Sequence, residues 1–367
     1  MSEQSRRIAS VQQLLQGNDL DALVITPGAN LHYLTGYHGD PDTERITALV
    51  VTADGARLLA PVLEEPLARE SVGAGSQLPI TAWTETEDSI ARVVDLLPTG
   101  VGRIAVDERM WAARSLALRA KLPGVEQVNA ASIMTQLRMR KSAAEVESLR
   151  RAGAAIDSVH ARVGDWLRAG RTEREVGADI ADAILAAGHR RVDFVIVASG
   201  PNAASPHAEV SDRVVNAGEP VVVDIGGTMP DGYCSDSTRT YVVGEPPAEF
   251  VRSYEVLLRA QAAQCDAVRP GITGAELDAI GRDIIAEAGY GELFIHRTGH
   301  GIGLDTHEEP YIVAGNDAPL EPGMAFSVEP GIYHAGRFGA RIEDIVICGD
   351  ERGERLNQRP RELAVLG

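Results

Sequence analysis

The stretch Val221-Val-Val-Asp224-Ile-Gly-Gly-Thr-Met-Pro230-Asp-Gly-Tyr-Cys-Ser-Asp236-Ser-Thr-Arg-Thr240 decides the fold of the C-terminal part. A β-branched run meets a Pro-Asp-Gly turn signal, and Asp224 and Asp236 lie equally far from Pro230. A hairpin folded about Pro230 sets the two acids opposite each other. The construction recurs in Phe326-Ser-Val-Glu329-Pro-Gly-Ile-Tyr333-His-Ala-Gly336-Arg-Phe-Gly-Ala-Arg341-Ile-Glu343-Asp344, where Glu329 and Glu343 are equidistant from Gly336. Asp224, Asp236, Glu329 and Glu343 then converge on one small volume. Like charges so close raise one another's pKa unless something neutralises them, and the compact neutraliser is a pair of divalent cations. The spacing therefore predicts a two-metal centre.

His300 adds an imidazole, set in Thr298-Gly-His300-Gly-Ile-Gly303, where small neighbours let the backbone approach a ligand closely. Oxygen donors with one imidazole form a hard, mixed set suited to Mn²⁺, Co²⁺, Fe²⁺ or Zn²⁺ rather than a Cys-rich zinc site. An isolated Asp or Glu near a turn is ordinary loop solvation; it is the paired spacing together with a glycine-flanked His that argues otherwise. A nucleotide site at Gly299-His-Gly-Ile-Gly303 is disfavoured, because the phosphate cradle is incomplete and phosphate beside these acids is repelled. No G-x-S-x-G elbow is present. Arg341 alternates with Glu343, so its guanidinium is placed to pair with a carboxylate or to grip substrate. Tyr333 falls on the face of Glu329 by period-two counting. His207, His296 and His307 lie near these motifs, whereas His32, His38, His160, His189 and His334 have no such context and are assigned no role.

Working outward, the 367 residues exceed one typical core, so two domains are expected. A formal charge of −18 argues against nucleic acid or an anionic membrane as main partner, since both demand a basic face. The three cysteines, Cys234, Cys265 and Cys348, are scattered without C-x-x-C spacing, which suits a reducing cytoplasm. No signal-like or membrane-spanning apolar run occurs. The first part alternates helical and strand patterns: helix over Ile8–Leu15, strand Ala22–Thr26, a hairpin turning at Asp54-Gly55, and strand Arg103–Val106. That is a three-layer α/β pattern. From Ser132 a helical stretch is predicted to run to about Leu167 and to contain the connection. Residues 1–130, 131–145 and 146–367 are the expected N-terminal domain, connecting helix region and C-terminal domain.

The C-terminal domain carries an internal repeat at an offset of 101 residues. Gly170-Arg-Thr172-Glu-Arg-Glu175 corresponds to Gly271-Ile-Thr273-Gly-Ala-Glu276, each a Gly stop followed by a capping box. Each capped helix ends at a Gly, Gly188 or Gly289, and each half then delivers a strand, a histidine (His207 or His307) and one carboxylate hairpin. Two related α+β halves facing each other, with the acids between them, are predicted.

These residues resemble the pita-bread metallopeptidases, the group of methionine aminopeptidase, aminopeptidase P and prolidase. The likeness rests on Asp224, Ser235-Asp236-Ser-Thr-Arg-Thr240, Gly299-His-Gly-Ile-Gly-Leu-Asp-Thr-His307-Glu-Glu-Pro310, Ser327-Val-Glu-Pro-Gly331 and Arg341-Ile-Glu-Asp344, and covers roughly residues 140 to 360. The resemblance implies an α+β pita-bread catalytic domain behind a smaller creatinase-like α/β domain. It implies five metal ligands, Asp224, Asp236, His300, Glu329 and Glu343, with Asp236 and Glu343 bridging two divalent ions, manganese first and cobalt or zinc as alternatives. Glu329 is then the proton shuttle, and His207, His296 and His307 handle substrate, with Tyr333 and Arg341 beside them. The implied activity is cleavage of Xaa-Pro dipeptides, or alternatively of the same bond in longer peptides, by a cytoplasmic homodimer whose partner is a small proline-containing peptide. All five ligand types are present, unlike in creatinase. The Asp224 to Asp236 spacing is one residue longer than in some prolidases, which lengthens the turn between Thr228 and Gly232.

Overall fold

Two apolar runs, Ala22–Ile25 (β1) and Ala48–Thr52 (β2), lie at the centre of a six-stranded sheet and are buried along nearly their whole length. The computed structural model describes residues 2–72 and 78–367, and the chain divides into two compact units, Met1–Arg138 and Met139–Gly367. In the first unit β2 turns at Asp54 into β3 (Gly55–Pro61), as the Asp54-Gly55 signal predicts. With β4 (Ile80–Trp83), β5 (Arg103–Val106) and β6 (Glu126–Asn129) the order is β4-β3-β2-β1-β5-β6. Strands buried on both faces require cover on both. The helices are α1 (Glu3–Gly17), α2 (Ala29–Thr35), α3 (Glu65–Val72), α4 (Ser89–Val94), α5 (Ala112–Lys121) and α6 (Ala131–Arg138). Val93 of α4 and Leu118 of α5 pack with Val24, Val50 and Ile104 on one face. The alternate residues Leu23, Leu49 and Val51 are equally buried on the other, and α1 contacts β2.

The continuous helix predicted from Ser132 to about Leu167 is broken into α6, α7 (Ala143–His160) and the short α8 (Val163–Trp166). Ser142 caps α7 with its side chain on the Glu145 amide, while Glu145 bonds back to the Ser142 amide, and a capping box is a start signal that no helix interior accommodates. Before it, the Lys141 amide donates to the Gly323 carbonyl, and Arg140 bridges to Met324. The backbone here is spent on a strand-like contact rather than on a helix.

The second unit has the predicted twofold construction. After α9 (Glu173–Ala186), β7 (Arg191–Ser199), β8 (Pro220–Thr228) and β9 (Cys234–Val243) form a sheet with β17 (Ala364–Leu366) in the order β17-β9-β8-β7. After α10 (Ala248–Ala267) and α11 (Gly274–Glu287), a second sheet has the order β11-β10-β12-β15-β16, from β10 (Gly299–Gly301), β11 (Glu308–Ile312), β12 (Ala325–Val328), β15 (Asp344–Cys348) and β16 (Gly353–Arg355). Between β12 and β15 stands the two-stranded ribbon β13 (Gly331–His334) and β14 (Phe338–Arg341). The repeat extends to single bonds. The Gly170 amide donates to Val215 and the Gly271 amide to Leu320; Thr172 bridges Val214 and Thr273 bridges Pro319. Both capping boxes form, and Gly188 and Gly289 take the left-handed conformation that ends each helix. Ile156, Val176 and Ile180 pack on Val221, Val223 and Ile225 in one half, and Leu277 and Ile312 on Phe326 and Val346 in the other.

Candidate active site

Asp224 lies in the middle of β8 and Asp236 near the start of β9, but they are not cross-strand partners: Asp224 faces Thr238, and Gly226 faces Asp236. The turn explains the difference. The Gly232 amide donates to the Met229 carbonyl and Gly232 has φ +91°, so Pro230 is the first corner of a three-residue loop and the midpoint falls on Asp231. The acids are diagonal neighbours. A shift of two residues preserves the face, so both still point the same way.

The second ribbon turns about Gly336, φ +71°, as predicted. Its register is uniform from Val328↔Asp344 through Gly331↔Arg341, which brings Glu329 and Glu343 level between the paired segments. His300, at the centre of β10, completes the group. The glycines around it serve a purpose different from ligand approach: a Cβ on Gly299 would run into the Ser327 carbonyl, and one on Gly301 into the Glu308 and Glu309 carbonyls. They let β10 fit between its neighbouring strands.

These five side chains meet in one cage. His300 Nε2 lies 3.2 Å from Glu329 Oε1 and 3.7 Å from Asp236 Oδ2. Potential ligand atoms of Asp224, Asp236 and Glu343 lie within 4.8 Å of one another, as do those of His300, Glu329 and Glu343. His300 Nδ1 is 3.1 Å from the Gly301 carbonyl, which only accepts, so Nδ1 carries the hydrogen and Nε2 is directed at the acids. Thr238 Oγ1 donates to Glu343 Oε2 at 2.7 Å, Ser327 Oγ to Glu329 Oε1 at 2.9 Å, and Arg341 to Asp224 Oδ2 at 2.5 Å. Asp224 Oδ1 and Glu343 Oε1 are buried without a donor. Burial, reinforced by the neighbouring acids, pushes Asp236 and Glu343 well above the usual carboxylate range, and burial also raises Asp224 against the pull of Arg341. Undonated oxygens, an inward Nε2 and mutually opposed carboxylates are the donor set that divalent cations fit.

A cavity of about 670 Å³ opens over the cage. His207 and His307 stand exposed at its wall, with His307 packed against His300 at 3.9 Å between ring centres. His296 is held from both sides: Nδ1 donates to the Arg297 carbonyl at 2.7 Å, and Tyr333 donates its hydroxyl hydrogen to Nε2 at 2.9 Å. Tyr333 in turn accepts from Arg341 Nη1 at 2.8 Å. Of the two roles open to Arg341, the geometry gives the first. Its guanidinium is engaged by Asp224, Thr238, Tyr333 and the Pro206 carbonyl, and the residue is 2% exposed. It supports the cage instead of reaching for substrate.

Residues 147–350 match metallopeptidase family M24, and residues 7–140 match the Creatinase/Prolidase N-terminal domain. The chain belongs to metallopeptidase family M24. It is 50% identical over 363 residues to the probable dipeptidase PepE of Mycobacterium tuberculosis, covering 99% of this chain and 96% of that protein. It is 38% identical over 368 residues to the Xaa-Pro dipeptidase of Lactobacillus helveticus, covering 97% and 98%. The crystal structure of dipeptidase PepE from Mycobacterium ulcerans superposes with a TM-score of 0.93 at 50% identity, over 99% of this chain and 98% of that one. The fold is accordingly the two-domain M24 pita-bread fold with a creatinase-like N-terminal domain.

Some residues of this M24 site escape a reading by motif. Phe194, Ile196 and Pro206 give the cavity an apolar wall, and Asp193 and Arg297 give it opposite charges. The Arg297 guanidinium stacks 4.2 Å from the Tyr311 ring, and among the described residues no carboxylate pairs with it. Its position beside His296 was the one available signal. His189, to which the sequence assigns no role, is 4% exposed, with Nε2 2.8 Å from Ser235 Oγ next to Asp236 in the chain. No helix among the described residues is long and apolar enough to cross a membrane.

Proposed function

We propose that this M24 chain hydrolyses Xaa-Pro dipeptides at a dinuclear metal centre that Asp224, Asp236, His300, Glu329 and Glu343 would hold. The observation that carries the reading is the cage itself: undonated Asp224 and Glu343 oxygens beside a His300 whose Nε2 is turned inward by its bond to Gly301. Two divalent ions bound there supply Lewis acidity and make a proton of water easy to remove at neutral pH. Glu329, at the cavity wall with Ser327 donating to one oxygen, accepts that proton and returns it to the proline nitrogen. His207 or His307 offers an N–H to the developing oxyanion, and His296 is oriented by the Arg341–Tyr333 chain. A tertiary Xaa-Pro amide has no N–H, so the ring is selected by shape, against Phe194, Ile196 and Pro206.

A dipeptide also presents a free carboxylate, and Arg297 is the cation suited to it, since Arg341 is committed to Asp224. The names of the two relatives, dipeptidase and Xaa-Pro dipeptidase, favour the same substrate class. The donor set suits Mn²⁺, Co²⁺ or Zn²⁺, and manganese is taken first on the family resemblance. The charge of −18 and three free, buried cysteines support action in the cytoplasm without nucleic acid or membrane as partner, and the homodimer rests on the family likeness alone. Turnover of Ala-Pro and Ala-Pro-Ala by manganese-loaded protein tests the reading. Ala-Pro is expected to be cleaved at least about tenfold more efficiently. Efficient release of alanine from Ala-Pro-Ala with Ala-Pro a poor substrate replaces the dipeptidase with an Xaa-Pro aminopeptidase.

A further inference from the structure

β7 carries an irregularity where it borders the cavity. Arg191 and Val192 pair with Thr228 and Gly227, but Phe194 pairs with Gly226 and Ile196 with Asp224, so Asp193 is the extra residue of a β-bulge. In an unbroken strand consecutive side chains leave on opposite faces. A bulge re-aims one of them. Here Asp193 and Phe194, adjacent in sequence, both line the cavity together with Ile196. The Asp193 side chain is 10% exposed, and Thr228 Oγ1 donates to its Oδ2 at 2.7 Å. Its counter-ion is Arg191, whose Nε lies 2.6 Å from Oδ1 and whose Nη2 donates to Thr228 Oγ1 at 3.2 Å, but whose side chain is 65% exposed. An exposed guanidinium is a weakly held partner that water and salt readily replace. The carboxylate, by contrast, stays in a fixed place on the wall.

We infer that Asp193 makes the site selective for Xaa residues with a cationic side chain, so that Lys-Pro and Arg-Pro are favoured substrates. This rests on the Xaa-Pro dipeptidase reading. Asp193 stands three residues along β7 from Ile196, the cross-strand partner of Asp224, which is about 10 Å of strand. The α-amino group of the substrate is bonded next to the scissile carbonyl and stays at the cage. A four-carbon side chain is what carries a charge out to Asp193. In the cavity that ammonium displaces Arg191 and forms a charge-assisted bond shielded from bulk water, where it is worth more than at the surface. With Arg297 meeting the carboxylate end, the two unlike charges of the wall orient a basic dipeptide in one direction.

The test compares Lys-Pro with norleucyl-proline, a neutral side chain of the same carbon count, in manganese-loaded protein. In Asp193→Asn, which keeps an acceptor for Thr228, the ratio of kcat/KM for the two substrates should fall at least about tenfold from the wild-type value. Arg191→Ala, which removes the competing cation, should move the ratio the other way. A purely structural role for the bulge would affect both substrates alike and give no such opposition. An unchanged ratio in Asp193→Asn, or parallel shifts in the two variants, overturns the inference. If wild-type protein cleaves neither dipeptide, the dipeptidase reading fails on its own account, and calorimetric binding of lysinamide against norleucinamide decides: equal affinities overturn the role of Asp193, and a lysinamide preference lost in Asp193→Asn upholds it.

Discussion

At the scale of single residues, Glu329 combines two duties that a substitution separates. Glu329→Gln keeps an oxygen for the cage but cannot take up a proton, so turnover should fall by at least about a hundredfold while bound metal is largely retained. Steady-state kinetics beside metal analysis of the same sample check it, and near-normal turnover sinks the shuttle. His160, which the sequence left without a role, is fully buried, with Nδ1 at 3.0 Å from the Tyr241 hydroxyl and Nε2 at 3.1 Å from the Ser237 carbonyl. Burial, with help from the nearby Arg239 charge, depresses its pKa to about 3. The unfolded chain takes up this proton near pH 6.5 and the folded one does not, so the contribution is whole above that pH and is lost as pH falls toward 3. From pH 7.5 to 5 the loss is roughly 2 kcal/mol. In metal-free His160→Gln, urea midpoints should be less sensitive to acid over this interval by that amount; equal sensitivity removes His160 from the account. Nothing in local sequence separates such a histidine from a ligand, because its neutrality comes from residues some 80 positions away.

Elements show where local information suffices. The capping boxes at Thr172 and Thr273 were legible because both partners of each box lie within four residues, and both form. As each cap is equivalent in its half, Thr172→Ala and Thr273→Ala should each cost about 1 kcal/mol in chemical denaturation, and nearly additively in the double variant. A much larger loss in one would break the equivalence of the halves. The strand register was only half legible. A Pro-Asp-Gly sequence announces a turn, but whether Pro230 or Asp231 is the midpoint depends on the left-handed Gly232 and on the pairing beyond it. The bulge at Asp193 left no mark of its own in the sequence, since an extra residue is visible only against the strand it mispairs with.

For the whole molecule the decisive variable is the metal. Mutual repulsion in the cage should be relieved on binding, so chelation should abolish activity, Mn²⁺ or Co²⁺ should restore it, and the thermal midpoint should rise with metal concentration. At free metal a hundredfold above Kd the linkage amounts to about 2.7 kcal/mol. Full activity and an unchanged midpoint in demonstrably metal-free protein would remove the metal centre. Both halves supply the cage, Asp224 and Asp236 from the first and His300, Glu329 and Glu343 from the second. Metal should therefore stabilise their association most.

Read alone, the sequence determined the family, the pita-bread fold with its N-terminal domain, and the residues brought together over β8, β9, β10 and the ribbon. Turn residues, caps and flanking glycines act on the dihedral angles of their immediate neighbours, and such constraints survive in any short window of chain. Tertiary structure alone decided that the aspartates sit diagonally, that Arg341 is spent on Asp224, that Gly299 and Gly301 serve strand packing, and that Asp193 and Arg297 face one cavity with opposite charge. Each of these depends on which distant strand lies alongside, and register and burial are properties of the pair that no single strand encodes.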